Sequence, residues 1–191
     1  MSSVEYTVFR ILRLLRKLPV NPLSIASQKV VFAEYFKGFE KIDAVKGIFG
    51  DKTDEVLSHL TVELSLLMGY MYVDGNDGHL VISRNYLNNG NRIDIYLDLI
   101  HELCHVKQFM DSRELFDPRY SYVDRPTEIE AYRYTVQEAR RLGLSEERIS
   151  HYLRTEWMSD EDFLRLAKSV NLDVPMLHDK PAASFEHKGP R

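Results

Sequence analysis

The sequence predicts an α+β fold, mostly helical, with a small antiparallel sheet or hairpin beside one long helix and a second long helix after it. Three observations predict this. Residues 92–110 and 126–142 carry apolar side chains at helical spacing, and two shorter segments after residue 144 do the same. Tyr70–Val73 and His79–Ser83 are β-type runs joined by Asp74-Gly75-Asn76-Asp77-Gly78, a string of turn residues between apolar segments. The 191 residues are 44% hydrophobic and 28% charged, which suits one globular domain with a sizeable core.

Composition also excludes several classes of function. A net charge of -4 gives no general reason to expect nucleic-acid binding. The single cysteine rules out an intrachain disulfide and suits a reducing compartment. No apolar run is long enough to cross a membrane, and the N-terminal arginines lie within and after the apolar residues rather than before them. A cytoplasmic protein is expected.

Val4–Leu18 reads as an amphipathic helix, with Val8, Ile11, Leu12, Leu14, Leu15 and Leu18 opposite Arg10, Arg13, Arg16 and Lys17; Pro19 and Pro22 end it. Packing on the protein's own core is favoured over peripheral membrane contact through this helix. The segment 1–22 is also a candidate to cover the cleft as an inhibitory segment. Ser24–Phe39 is expected to hold a second helix, its apolar surface formed by Val30, Val31, Phe32, Ala33, Tyr35 and Phe36. Asp51–Met68 also has helical spacing at Val56, Leu57, Leu60, Leu64, Leu67 and Met68, with Asp51 or Thr53 as N-cap. His59 there is a surface or core histidine. The acidic hairpin turn lacks the calcium-loop pattern and is read as a plain turn.

Asn85–Asn91 reads as a polar connection broken by Asn88-Asn89-Gly90-Asn91, and the central helix runs from about Arg92 to Met110. Ser112–Asp124 is irregular. Pro126 suits a first helical turn, and Gly143 closes the second long helix after Leu142. Ser145 caps Glu146–Trp157 and Ser159 caps Asp160–Val170, each with acidic residues in the first turn. The organisation expected is a single domain over 1–174, divided into an N-terminal helical part (1–68), a core (70–142) and C-terminal helices (144–171). From 175 to 191 the composition turns to Pro, Lys, His and Gly and predicts a disordered tail.

Within the central helix, Ile93, Leu97, Leu99, Ile100, Leu103, Val106 and Met110 form a broad apolar side. The remaining stripe is acidic and imidazole-rich, with Asp94, Asp98, His101, His105 and Gln108, and with Glu102 at its flank. His101-Glu102-Leu103-Cys104-His105 sets two imidazoles one turn apart, a spacing that binds Zn²⁺, and puts a carboxylate beside them to activate water. A catalytic site needs a third protein ligand and one open position. Glu128 and Glu130 are the candidates on the next helix. Glu128 shares its face with Tyr132, Thr135 and Ala139, where an unpaired carboxylate is costly and a metal would pair it. Glu130 lies with Arg133, Tyr134, Gln137 and Arg140 on a polar face. Glu128 is therefore the expected third ligand.

His101-Glu102-x-x-His105 followed by Glu128-x-x-Ala131 on a second helix resembles the gluzincin metallopeptidases, including the small soluble minigluzincins. The resemblance covers about residues 70–142. It implies a zincin-like domain, one Zn²⁺ held by His101, His105 and Glu128, and Glu102 as general base. It also implies that Leu80–Ser83 is an edge strand that holds the substrate backbone. Many gluzincins place Asp or Asn four residues after the glutamate ligand, where this chain has Tyr132. Asp98, Asp94, Gln108 and Tyr132 are then candidates for the outer hydrogen bonds.

The function expected is zinc-dependent hydrolysis of a peptide or protein substrate. Tyr122, Tyr132 and His151 are candidate donors to the oxyanion, while each also has a plain packing or surface role available. The alternative is a non-proteolytic zinc-binding domain that acts through a partner. Only three ligands are visible and Glu102 is present, which favours an open catalytic position over a closed structural one. Cys104, one residue from a ligand, reads as a small buried hydrophobe.

Overall fold

The protein is described by a computed structural model. It describes residues 27–66, 69–155 and 157–174. The expected helix Val4–Leu18, the start of the Ser24–Phe39 segment, Leu67, Met68 and the tail 175–191 lie outside the described residues.

The α+β class holds. Strand β1 (Gln28–Val31) leads into a single turn, α1 (Phe32–Tyr35), followed by α2 (Asp43–Phe49), α3 (Thr53–His59) and β2 (Thr61–Ser65). Then come β3 (Met71–Val73), β4 (Leu80–Ser83), α4 (Arg84–Asn89) and the long α5 (Arg92–Met110). The chain continues into α6 (Pro126–Arg141), α7 (Glu146–Leu153) and α8 (Asp160–Ser169). The four strands form one mixed sheet in the order β1-β2-β4-β3. β1 pairs antiparallel with β2, β2 parallel with β4, and β3 antiparallel with β4 as the expected hairpin.

Several local expectations are corrected. Val30 and Val31 of the supposed second helix pair with Val62 and Thr61 instead, so β-branched residues join a sheet where apolar spacing suggested a helix. The supposed helix Asp51–Met68 ends at His59. Beyond it Val62 and Leu64 are buried between less buried Thr61 and Glu63, a strand alternation hidden because Leu57, Leu60 and Leu64 also fit helical spacing. The Asn85–Asn91 connection contains α4, which starts at the Ser83 cap and stops before Gly90. α7 ends at Leu153 rather than Trp157.

The edge-strand expectation for Leu80–Ser83 also fails. β4 is an inner strand, buried at all four positions, and its backbone is engaged by β2 on one side and β3 on the other. The sheet's outer strands are β1 and β3.

α5 is the spine. Leu99, Ile100, Leu103, Cys104 and Val106 pack into a core shared with the sheet, α2 and α3. Leu97 faces a second core built from Val123, Tyr132, Val136, Ile149, Leu153, Phe163 and Leu166. Ile93 and Met110, expected on the core side, are exposed at 40% and 49% because they sit in the helix's terminal turns. Asn91 caps α5 by accepting hydrogen bonds from the Ile93 and Asp94 amides at 2.9 and 3.3 Å. Pro126 opens α6 as expected.

The hairpin turn meets α5 at Gly78, whose φ is +76° and where an added Cβ would lie 2.3 Å from the Phe109 ring. Both backbone and space therefore require glycine. Gly78→Ala is expected to destabilise by about 1–3 kcal/mol in chemical denaturation. An unchanged midpoint would show that the hairpin is free to shift off the helix.

Candidate metal centre

Helix α5 supplies His101 and His105 from one face, and α6 supplies Glu128 from its first turn. All three are buried, Glu128 to 2% exposure. His101 Nε2 lies 3.0 Å from His105 Nε2, and Glu128 Oε2 lies 3.3 and 3.4 Å from these two nitrogens. Zinc–nitrogen bonds of about 2.0–2.1 Å in a tetrahedron put neighbouring ligand atoms about 3.3–3.4 Å apart. The three atoms thus have the spacing of one triangular face of such a tetrahedron. Glu128 Oε2 is buried and makes no hydrogen bond; the two imidazole nitrogens are what face it. The three residues together could hold a metal ion.

The electrostatics follow from this proximity. Burial, the largest single effect, pulls the His105 pKa down, but the Glu128 charge and contact, the Glu102 charge and the Gln108 hydrogen bond together push it up to about 9. Burial would raise Glu128, yet the two imidazoles hold its carboxyl well below the usual carboxylate range. Without a metal the pair is a buried ion pair.

Gln108 organises the rest. It is 1% exposed, and its Oε1 accepts a hydrogen bond from His105 Nδ1 at 2.7 Å. Its Nε2 donates to the Thr127 carbonyl at 3.0 Å and to Glu130 Oε2 at 2.8 Å, which fixes the amide's orientation. The proton is thereby placed on Nδ1, and Nε2 is turned toward Glu128. Glu130 is further paired with Arg113, so it faces away from the triad as its helix phase predicts. Of the outer-contact candidates, Gln108 is the one with a hydrogen bond to a ligand imidazole. Asp94 instead pairs with Arg148 of α7. Asp98 accepts hydrogen bonds from Tyr86 at 2.5 Å and Tyr152 at 2.6 Å. Burial pushes its carboxyl up to about 6 against those two bonds.

The Tyr132 ring packs edge-on to His101 with centroids 4.4 Å apart, and its hydroxyl lies 3.0 Å from that of Tyr122. Burial first, then the Glu128 charge, raises both phenols, so both remain protonated donors at neutral pH. Trp157 packs against Tyr122. His151 is exposed on α7, whereas the triad is buried. Glu102 is half-buried, and its charge acts on His105 and Tyr132. Cys104 is buried and its thiol is raised by that burial, as a small hydrophobe should be. Asp74, Asp77 and His79 form a second possible grouping on the hairpin turn. There Asp74 and Asp77 accept bonds from the Asn76 and His79 amides, the turn role the sequence indicates.

Sequence reasoning missed Tyr86, Tyr152 and the Arg113–Glu130 pair, whose spacing from the motif carries no periodic signal. The chain matches no protein-family model, and no curated protein or solved structure is significantly similar to it. The likeness to gluzincins therefore rests on His101, Glu102, His105 and Glu128 themselves.

Two outcomes are expected when zinc is titrated into metal-free protein. Glu128→Ala should abolish stoichiometric binding and Glu130→Ala should retain it. Gln108→Leu should weaken affinity about 10–100-fold while keeping near-wild-type circular dichroism. Loss of metal in Glu130→Ala but not in Glu128→Ala would reverse the ligand assignment.

Proposed function

We propose that the protein is a zinc-dependent peptidase of the cytoplasm, with His101, His105 and Glu128 as the metal ligands. The observation that carries this is the spacing of their three donor atoms, 3.0–3.4 Å apart around a buried carboxylate oxygen that makes no hydrogen bond. Zinc, when bound, supplies a Lewis acid that polarises a carbonyl and acidifies water. Glu102 takes the proton of the attacking water and delivers it to the leaving amine, a role suited to a half-buried carboxylate one residue from a ligand. Tyr132, whose ring packs on His101, and Tyr122, hydrogen-bonded to it, are the candidate donors to the oxyanion. His101, His105 and Glu128 would hold the metal with three protein ligands, the number typical of catalytic zinc, whereas a purely structural zinc is closed by four. The choice of peptide bonds as substrate rests on the resemblance of His101-Glu102-x-x-His105 and Glu128 to the gluzincin pattern.

Purified protein is expected to carry about one zinc per chain. Glu102→Gln should keep that zinc and lose peptide hydrolysis by about 10²-fold or more. Cleavage by Glu102→Gln at the wild-type rate would remove the mechanism. Stoichiometric zinc in a wild type that cleaves no member of a peptide library would favour a binding domain that works through a partner.

A further inference from the structure

Asp98 lies one turn before His101 and four residues before Glu102, so it continues the face of α5 that carries the general base. It is half-buried, and each carboxylate oxygen receives one tyrosine hydroxyl, Tyr86 of α4 on Oδ2 and Tyr152 of α7 on Oδ1. Two hydrogen bonds leave lone pairs on a carboxylate, which has about four acceptor positions. Among the described residues no Lys, Arg or His forms an ion pair with Asp98, and Arg148 of α7 pairs with Asp94 instead. A desolvated carboxylate with only neutral partners is costly, and a cation would offset that cost. The surroundings are aromatic. Tyr86 stacks edge-on with the exposed Tyr70 at 4.8 Å, and Tyr132, which packs on His101, also feels the Asp98 charge. Tyrosine faces attract ammonium and guanidinium groups as well as apolar stems.

We propose that Asp98, flanked by Tyr86 and Tyr152, is a substrate subsite that takes a positively charged group of the peptide. The group is either a free α-amine or a Lys or Arg side chain. This rests on the peptidase reading above and narrows its substrate class. Four helical residues span about 6 Å, and an extended peptide advances about 3.3 Å per residue. A cation held by Asp98 is therefore within about two residues of the bond that faces Glu102.

The test is calorimetric binding of short peptides to the zinc-supplemented full-length chain, in two matched pairs. One pair compares a free with an acetylated N-terminus, and the other compares Lys with norleucine inside a capped peptide. The charged member of at least one pair should bind about tenfold or more tightly, and the pair that responds identifies the source of the cation. Asp98→Asn should erase that preference, whereas Tyr86→Phe/Tyr152→Phe, which leaves the carboxylate in place, should preserve it. Equal binding of charged and neutral members by the wild type overturns the proposal, whether or not Asp98→Asn folds. So does a preference that survives Asp98→Asn. Charge preference without any hydrolysis would remove the peptidase reading and leave the cation site standing. Hydrolysis without charge preference would remove the cation site alone.

Discussion

Two imidazoles and a carboxylate, all withdrawn from water, share one small space between α5 and α6, and the rest of the molecule is arranged to allow it. Burying a carboxylate is unfavourable unless an opposite charge and hydrogen bonds replace its water. Here the replacement is His101 and His105, and its effect is visible in the opposite shifts of His105, upward, and Glu128, downward, each against the direction that burial alone would give. Such a pocket survives only if the two helices cannot slide apart. The two cores on either side of α5 provide that restraint, one from the sheet and one from the C-terminal helices.

The polar contacts around the triad act along the same line. Gln108 ties the His105 imidazole, on one helix, to the Thr127 carbonyl just before Glu128 on the other. One neutral amide thus fixes a tautomer and a helix–helix distance together. A carboxylate at that place would have added a negative charge to a pocket that already holds Glu128 and Glu102. Upstream, Asp98 is gripped by tyrosines from two further helices and leaves the helix face beside Glu102 negative. Glu128 itself sits in the first turn of α6, where the helix dipole favours an anion.

The sheet departs from what the gluzincin likeness implies. A strand pairs with an incoming peptide only through an open edge, and β4 has none, being bonded to β2 and β3. The backbone groups at the sheet's margins belong to β1 and β3, and β3 is the one beside α5 in the hairpin. The likeness is thus confined to the ligand-bearing helices and does not extend to the strand order.

Read alone, the sequence determined the two long helices, the hairpin, the caps at Ser145 and Ser159, and the helix phase that sets Glu128 rather than Glu130 beside the two histidines. These depend on interactions within a few residues, or on helical phase, which spacing records directly. Tertiary structure decided the rest. Whether 28–31 and 61–65 became strands depended on partners 18 to 36 residues away, and apolar spacing fitted a helix as well. Tyr86 and Tyr152 reached Asp98 across 12 and 54 residues. Gln108 could be placed on the ligand face from its phase, but its grip on Thr127 and Glu130 appears only when two helices meet. Local pattern sets which side chains share a face; only packing sets what that face meets.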